Sequence, residues 1–146
     1  KITFLKFVSN NEAKKMGFLK EKYTREYFLG KDENGNKLHY GALGGQDWED
    51  GLVYKDIKQS LDLVDFVGKD VLDIGYGRGE SARYLFNEKQ CHHFCGVDFA
   101  DDAYEIAKAT LAEFPKEKYD IYLDDALDFL KNNNFKNKDG LLSINF

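Results

Sequence analysis

The chain has 146 residues, of which 42% are hydrophobic and 32% charged, and its net charge is −5. That length holds one domain with a real core. The acidic balance, with no basic stripe, disfavours a nucleic-acid partner. No apolar run approaches the ~20 residues that cross a bilayer.

No signal peptide is visible, and the two cysteines, Cys91 and Cys95, make no disulfide framework. Reduced thiols in a cytoplasmic protein are the expectation. The chain begins at Lys1 instead of Met, so its true N-terminus is expected to lie upstream.

In chain order, residues 1–18 carry mixed signals. A helix is expected from Asn10 or Asn11, with Ala13, Met16, Leu19, Lys20, Tyr23 and Tyr27 at helical spacing, ending near Gly30. Asn34-Gly35 signals a turn. Residues 38–45 are glycine-rich and irregular, and Trp48 follows. A second helix is expected over 56–67, burying Ile57, Leu61, Val64 and Val67, with Gly68 as its cap.

A first strand is expected over 70–74. It breaks into glycines at 75, 77 and 79 and then a helix to about Asn87. A second strand spans 94–98. Asp101 or Asp102 can cap the following helix, whose buried face is Ala103, Ile106, Ala107, Leu111 and Phe114, with Pro115 at its end. A third strand spans 119–123, a short helix 126–131, a polar loop 131–138 and a fourth strand 140–144. Strands alternating with helices imply a parallel sheet with right-handed crossovers. The expected division is an N-terminal helical and loop segment, 1–68, as a lid, followed by an α/β unit, 69–146.

The glycine turn, VLDIGYGRGE, opens a nucleotide-binding βαβ unit. Its spacing departs from the dinucleotide pattern, because Glu80 stands where that pattern has its last glycine. Asp73 and Glu80 flank the turn and would repel a pyrophosphate, although Arg78 offsets part of that charge. Asp98 ends the second strand about 20 residues further on, where an acid can accept from ribose hydroxyls; the alternative is a helix cap. Phe99 can cover an adenine face or pack in the core. Asp125 and the Ala126 N–H can read an adenine edge, or Asp125 can act as a helix N-cap.

These segments together resemble the class I S-adenosylmethionine (SAM)-dependent methyltransferases. VLDIGYGRGE is similar to their first motif, GVDFADDAYEIAKA to the segment that follows it, YLDDALDF to their third-strand motif and DGLLSINF to their fourth strand. The resemblance covers about residues 64–146. It implies an α/β fold: a three-layer Rossmann-like parallel sheet with helices on both faces, behind an N-terminal helical or lid segment. It implies S-adenosyl-L-methionine as cofactor, with Gly75 and Gly77 against the methionine part and Asp73 near its ammonium. Asp98 would hold the ribose, Phe99 the adenine face, and Asp125 with Ala126 the adenine edge. Asn145 would lie near the transferring methyl. Tyr76 occupies a turn position where relatives often carry a smaller residue.

The family's sheet has more strands than are legible here, so the chain is expected to be a fragment, with a sheet edge that favours a homodimer. The expected acceptor is a small molecule. No general base is identified among His39, His92 and His93. Cys91, His92, His93 and Cys95 invite zinc, but side chains alternate along a strand and the four do not converge, so no metal is expected. Tyr23, Tyr27, Phe28, Tyr40 and Trp48 are either a lid over the ligand or a stripe packed on the sheet. Two other readings stay open: a NAD or nucleotide-sugar domain, and a non-catalytic methyltransferase-like interaction module.

Overall fold

The computed structural model describes residues 22–37, 48–49, 51–132 and 140–143. Four parallel strands, β1 (Asp70–Ile74), β2 (His93–Asp98), β3 (Tyr119–Leu123) and β4 (Gly140–Ser143), pair in the order β3-β2-β1-β4. The helices are α1 (Arg25–Leu29), α2 (Leu52–Asp62), α3 (Glu80–Asn87), α4 (Asp101–Thr110) and α5 (Ala126–Asn132). None of the described helices is long and apolar enough to cross a membrane.

Val71 and Leu72 are adjacent and both buried, which a strand achieves only when both faces of its sheet are covered. One face packs Val71, Phe94 and Tyr119 against Ile57 and Leu61 of α2, Ala82 and Leu85 of α3, and Ala107 of α4. The opposite face packs Leu72, Cys95 and Val97 against Phe129 of α5. This is the three-layer α/β arrangement expected from the sequence. Burying a side chain such as Phe94 or Leu85 contributes about 1.5–3 kcal/mol.

Several local expectations are corrected. The second helix covers Leu52–Asp62, not 56–67. Past it, the Asp65 carboxylate accepts from the Val67 N–H and holds a turn. Val64 and Val67 are therefore exposed, and Phe66 is the residue buried there. Gly68 does not cap that helix. It sits at φ 69° and donates its N–H to the Gln90 carbonyl, turning the chain into β1.

Lys22 to Thr24 are not helical. The Thr24 hydroxyl accepts from the Tyr27 N–H and starts α1, which ends at left-handed Gly30 as expected. The earlier part of that expected helix, the 38–45 segment, most of the 131–138 loop and residue 144 lie outside the described residues. The Asn34-Gly35 turn is present, closed by Asp32 accepting from the Asn34 and Asn36 N–H groups.

Candidate functional site

In parallel sheets, ligands bind beyond the carboxyl ends of the strands, where strand order reverses. Here β1 is followed by β2 on one side and borders β4 on the other, so the reversal lies at β1. The glycine turn emerges there. The Gly75 N–H donates to the Val97 carbonyl (2.8 Å), anchoring the turn to β2. Gly75, Gly77 and Gly79 all have positive φ, at 85°, 54° and 78°. A side chain at any of them would be strained. Gly79 has a second reason: a Cβ there would lie 3.3 Å from the Ala107 Cβ, so it lets α3 start close against α4.

Asp98 is buried at the end of β2. Its Oδ2 accepts from the Gly77 N–H (2.9 Å) and its Oδ1 from the Ala100 N–H (3.0 Å). The carboxylate thus ties the glycine turn to the entry of α4. Ala100 is the α4 N-cap, so neither Asp101 nor Asp102 caps that helix. Asp102 instead accepts from the Arg25 N–H of α1 (2.8 Å). Burial raises the Asp98 carboxyl above the usual carboxylate range, against the lowering effect of its backbone donors.

Asp73 lies beneath the turn, 1% exposed. Its Oδ2 accepts from the Ser81 hydroxyl (2.8 Å), while its Oδ1 is buried with no hydrogen-bond partner among the described residues. Burial pushes its carboxyl up to about 7; Ser81 pulls it down and the Asp98 charge adds to the rise. A buried carboxylate oxygen without a donor is costly. A cation or N–H donor brought to that point would be held strongly.

Tyr76 is in the core. Its side chain is 4% exposed and its hydroxyl donates to the Tyr122 carbonyl (3.3 Å). Its ring lies so close over β2 that a Cβ on Gly96 would stand 2.6 Å from it. A glycine inside a strand marks such a close approach, and Gly96 was the available signal. Tyr76 therefore offers the edge its backbone, not its ring.

Phe99 is half-buried and meets the edge of the Tyr23 ring, with centroids 5.4 Å apart. The Asp124 N–H donates to the Asp98 carbonyl (3.0 Å), bringing the end of β3 alongside. Asp125 Oδ1 accepts from the Leu127 and Asp128 N–H groups (2.9 and 3.1 Å), which is the N-cap geometry. Ala126 begins α5. Gly75, Gly77, Asp98, Phe99, Asp125 and Ala126 thus share one edge, with Asp73 as its floor. Asn145, His39 and Tyr40 lie outside the described residues.

Arg78 was the cation able to offset the acidic turn. Its guanidinium donates to the Phe28 carbonyl (3.2 Å), sits 5.2 Å from the Tyr54 ring centroid and is 3.8 Å from Glu80. Ser81 and Tyr54 had no distinguishing signal in the sequence. Trp48 packs on Tyr54 and Tyr84, so among the expected lid aromatics it contacts α2 and α3. Cys91 and Cys95 belong to opposite core faces, while His92 pairs with Asp70 and His93 with Asp120. No group of metal-ligating side chains occurs among the described residues.

No protein-family profile and no curated protein matches this chain. Solved structures do. TrmK of M. capricolum, solved in complex with S-adenosyl-homocysteine, matches 62% of this chain and 40% of its own, at 20% identity and a TM-score of 0.53. A candidate sarcosine dimethylglycine methyltransferase from Galdieria sulphuraria matches 66% of this chain and 37% of its own, at 15% identity and a TM-score of 0.54. The chain has the class I methyltransferase fold. It spans less than half the length of either solved chain.

Proposed function

We propose that this chain is the S-adenosylmethionine-binding portion of a methyltransferase acting on a small-molecule acceptor. The observation that carries the reading is the buried Asp73 Oδ1, which has no donor among the described residues and lies directly beneath a glycine turn of the methyltransferase fold. An ammonium is the chemistry such an oxygen accepts, and a pyrophosphate is the chemistry it repels. Asp98, Asp124 and Asp125 extend that acidic character along the same edge. The one nearby guanidinium, Arg78, is directed to the Phe28 carbonyl.

Each residue then has a stated task. The Gly75 and Gly77 backbone admits the amino-acid end of the ligand, with Asp73 as the acceptor for its ammonium. Asp98 has lone pairs left for ribose hydroxyls beyond those used by Gly77 and Ala100. Phe99 covers one face of the base, and the end of β3, with Asp125 and Ala126, reads its edge. When bound, S-adenosylmethionine supplies the electrophilic methyl. The chain's contribution is alignment of the acceptor and exclusion of water. The net charge of −5 favours a small acceptor over bulk nucleic acid. Self-association as a homodimer is part of this proposal; a strictly monomeric mass across a wide concentration range counts against that part.

Titration calorimetry with S-adenosylmethionine, S-adenosylhomocysteine, NAD and NADP tests the reading. Binding of the first two and silence with the others is expected. Binding of NAD or NADP alone would move the chain to the dinucleotide class.

A further inference from the structure

Arg78 sits inside the glycine turn, between Gly77 and Gly79, and its side chain reaches α1. Its Nη1 donates to the Phe28 carbonyl, and its guanidinium lies over the Tyr54 ring of α2. Phe28 is in the last turn of α1, where helical carbonyls have no partner within the helix. A cation there satisfies the carbonyl and opposes the helix dipole. The opposite end of α1 is held too: the Arg25 N–H, an orphan of the first turn, donates to Asp102 of α4. A five-residue helix does not persist in water unaided. This one is tied at both ends to residues that flank the candidate site.

The rings near α1 fall into place as a result. Phe28 Cε1 lies 3.9 Å from where a Cβ on Gly77 would be. Tyr23 is 6.3 Å from Phe28 and 5.4 Å from Phe99, and Tyr27 packs edge-on against both Tyr23 and Phe28. The aromatic run therefore extends from Gly77 to Phe99, the same run that the proposed ligand would occupy between its amino-acid end and its base.

We infer that Arg78 is a positioning residue that latches α1, through the Phe28 carbonyl, as an aromatic roof over the cofactor edge and so slows cofactor escape. The inference rests on the cofactor reading above. It gives the turn's cation a task beyond offsetting the acids beside it.

The test is stopped-flow measurement of S-adenosylhomocysteine association and dissociation, read by intrinsic fluorescence. Arg78→Ala is expected to raise the dissociation rate about tenfold, with the association rate within about twofold of the parent; tenfold corresponds to about 1.4 kcal/mol. Arg78→Lys restores a donor to the Phe28 carbonyl and is expected to recover part of the loss. Phe28→Ala combined with Arg78→Ala is expected to be no faster than the faster single variant, because both open the same roof.

In the ligand-free chain, amides of residues 26–30 are expected to exchange faster in Arg78→Ala while β1 and β2 amides are unchanged. Should Arg78→Ala not fold, Asp102→Ala removes the acceptor of the Arg25 N–H, releases the other end of α1 and is expected to raise the dissociation rate in the same direction. Unchanged dissociation, additive single and double variants, or unchanged exchange at 26–30 would overturn the latch. A parent chain that binds no S-adenosylhomocysteine overturns the cofactor reading instead, and the ligand-free exchange then judges the latch separately.

Discussion

Asp73 and Asp98 stand near the ends of neighbouring strands and are both buried, but their surroundings differ. Asp98 has a backbone N–H on each oxygen, from Gly77 and Ala100. It holds the turn and the α4 entry in register whether or not a ligand is present. Asp73 has one hydroxyl donor on one oxygen and none on the other among the described residues. The first carboxylate is part of the scaffold as well as the edge. The second stores an unmet demand for positive charge. In the proposed site, one acid keeps the shape and the other draws the ligand.

The largest effect should come from Asp73→Asn. The folded Asp73 carboxyl stays protonated up to about 7, whereas in the unfolded chain it ionises near the ordinary aspartate value of about 3.9. Between those values the native state binds more protons, so stability falls as pH rises through the window. Relative to the parent, Asp73→Asn should be more stable at pH 8, on the order of a few kcal/mol, with the difference vanishing near pH 4. Denaturant melts at the two pH values check this. The opposite pH trend would remove the buried-acid account.

Asp98→Ala comes next. It removes two charge-assisted bonds to backbone and the proposed ribose acceptor, and should weaken S-adenosylhomocysteine binding by about 1.5–3 kcal/mol in titration calorimetry. Unchanged affinity would confine Asp98 to the scaffold, remove it from the proposed ribose site and sharpen the contrast with Asp73.

Ser81→Ala should be the smallest. Loss of the hydroxyl that donates to Asp73 costs about 1–2 kcal/mol of stability. The loss should be largest above pH 7, where the acid is ionised, and ligand affinity should barely move. A larger change in affinity than in stability would place Ser81 at the ligand.

Much of this site was readable before folding was considered. The strands over 70–74 and 119–123 have the bounds expected from their apolar runs, and the glycine turn follows from its spacing. Three acids, Asp73, Asp98 and Asp125, were selected by position at or just past a strand's carboxyl end, and the parallel register brings them to one edge. Such signals are local: a buried strand, a positive-φ turn and an acid after it are written within about ten residues of one another. Helix ends were read less well. Val64 and Val67 have helical spacing after Leu61, but the Asp65 side chain closes a turn first.

What only the tertiary structure decided is how those local pieces use one another. Tyr76 became core because Gly96, on the next strand, leaves room for its ring. Asp102, a cap candidate for its own helix, instead holds Arg25, and Arg78 turned from a partial offset to the acids of the turn into the tie on Phe28. Each of these is a contact between residues far apart in sequence. Its energy depends on the packing of whole elements, which composition and periodicity do not encode.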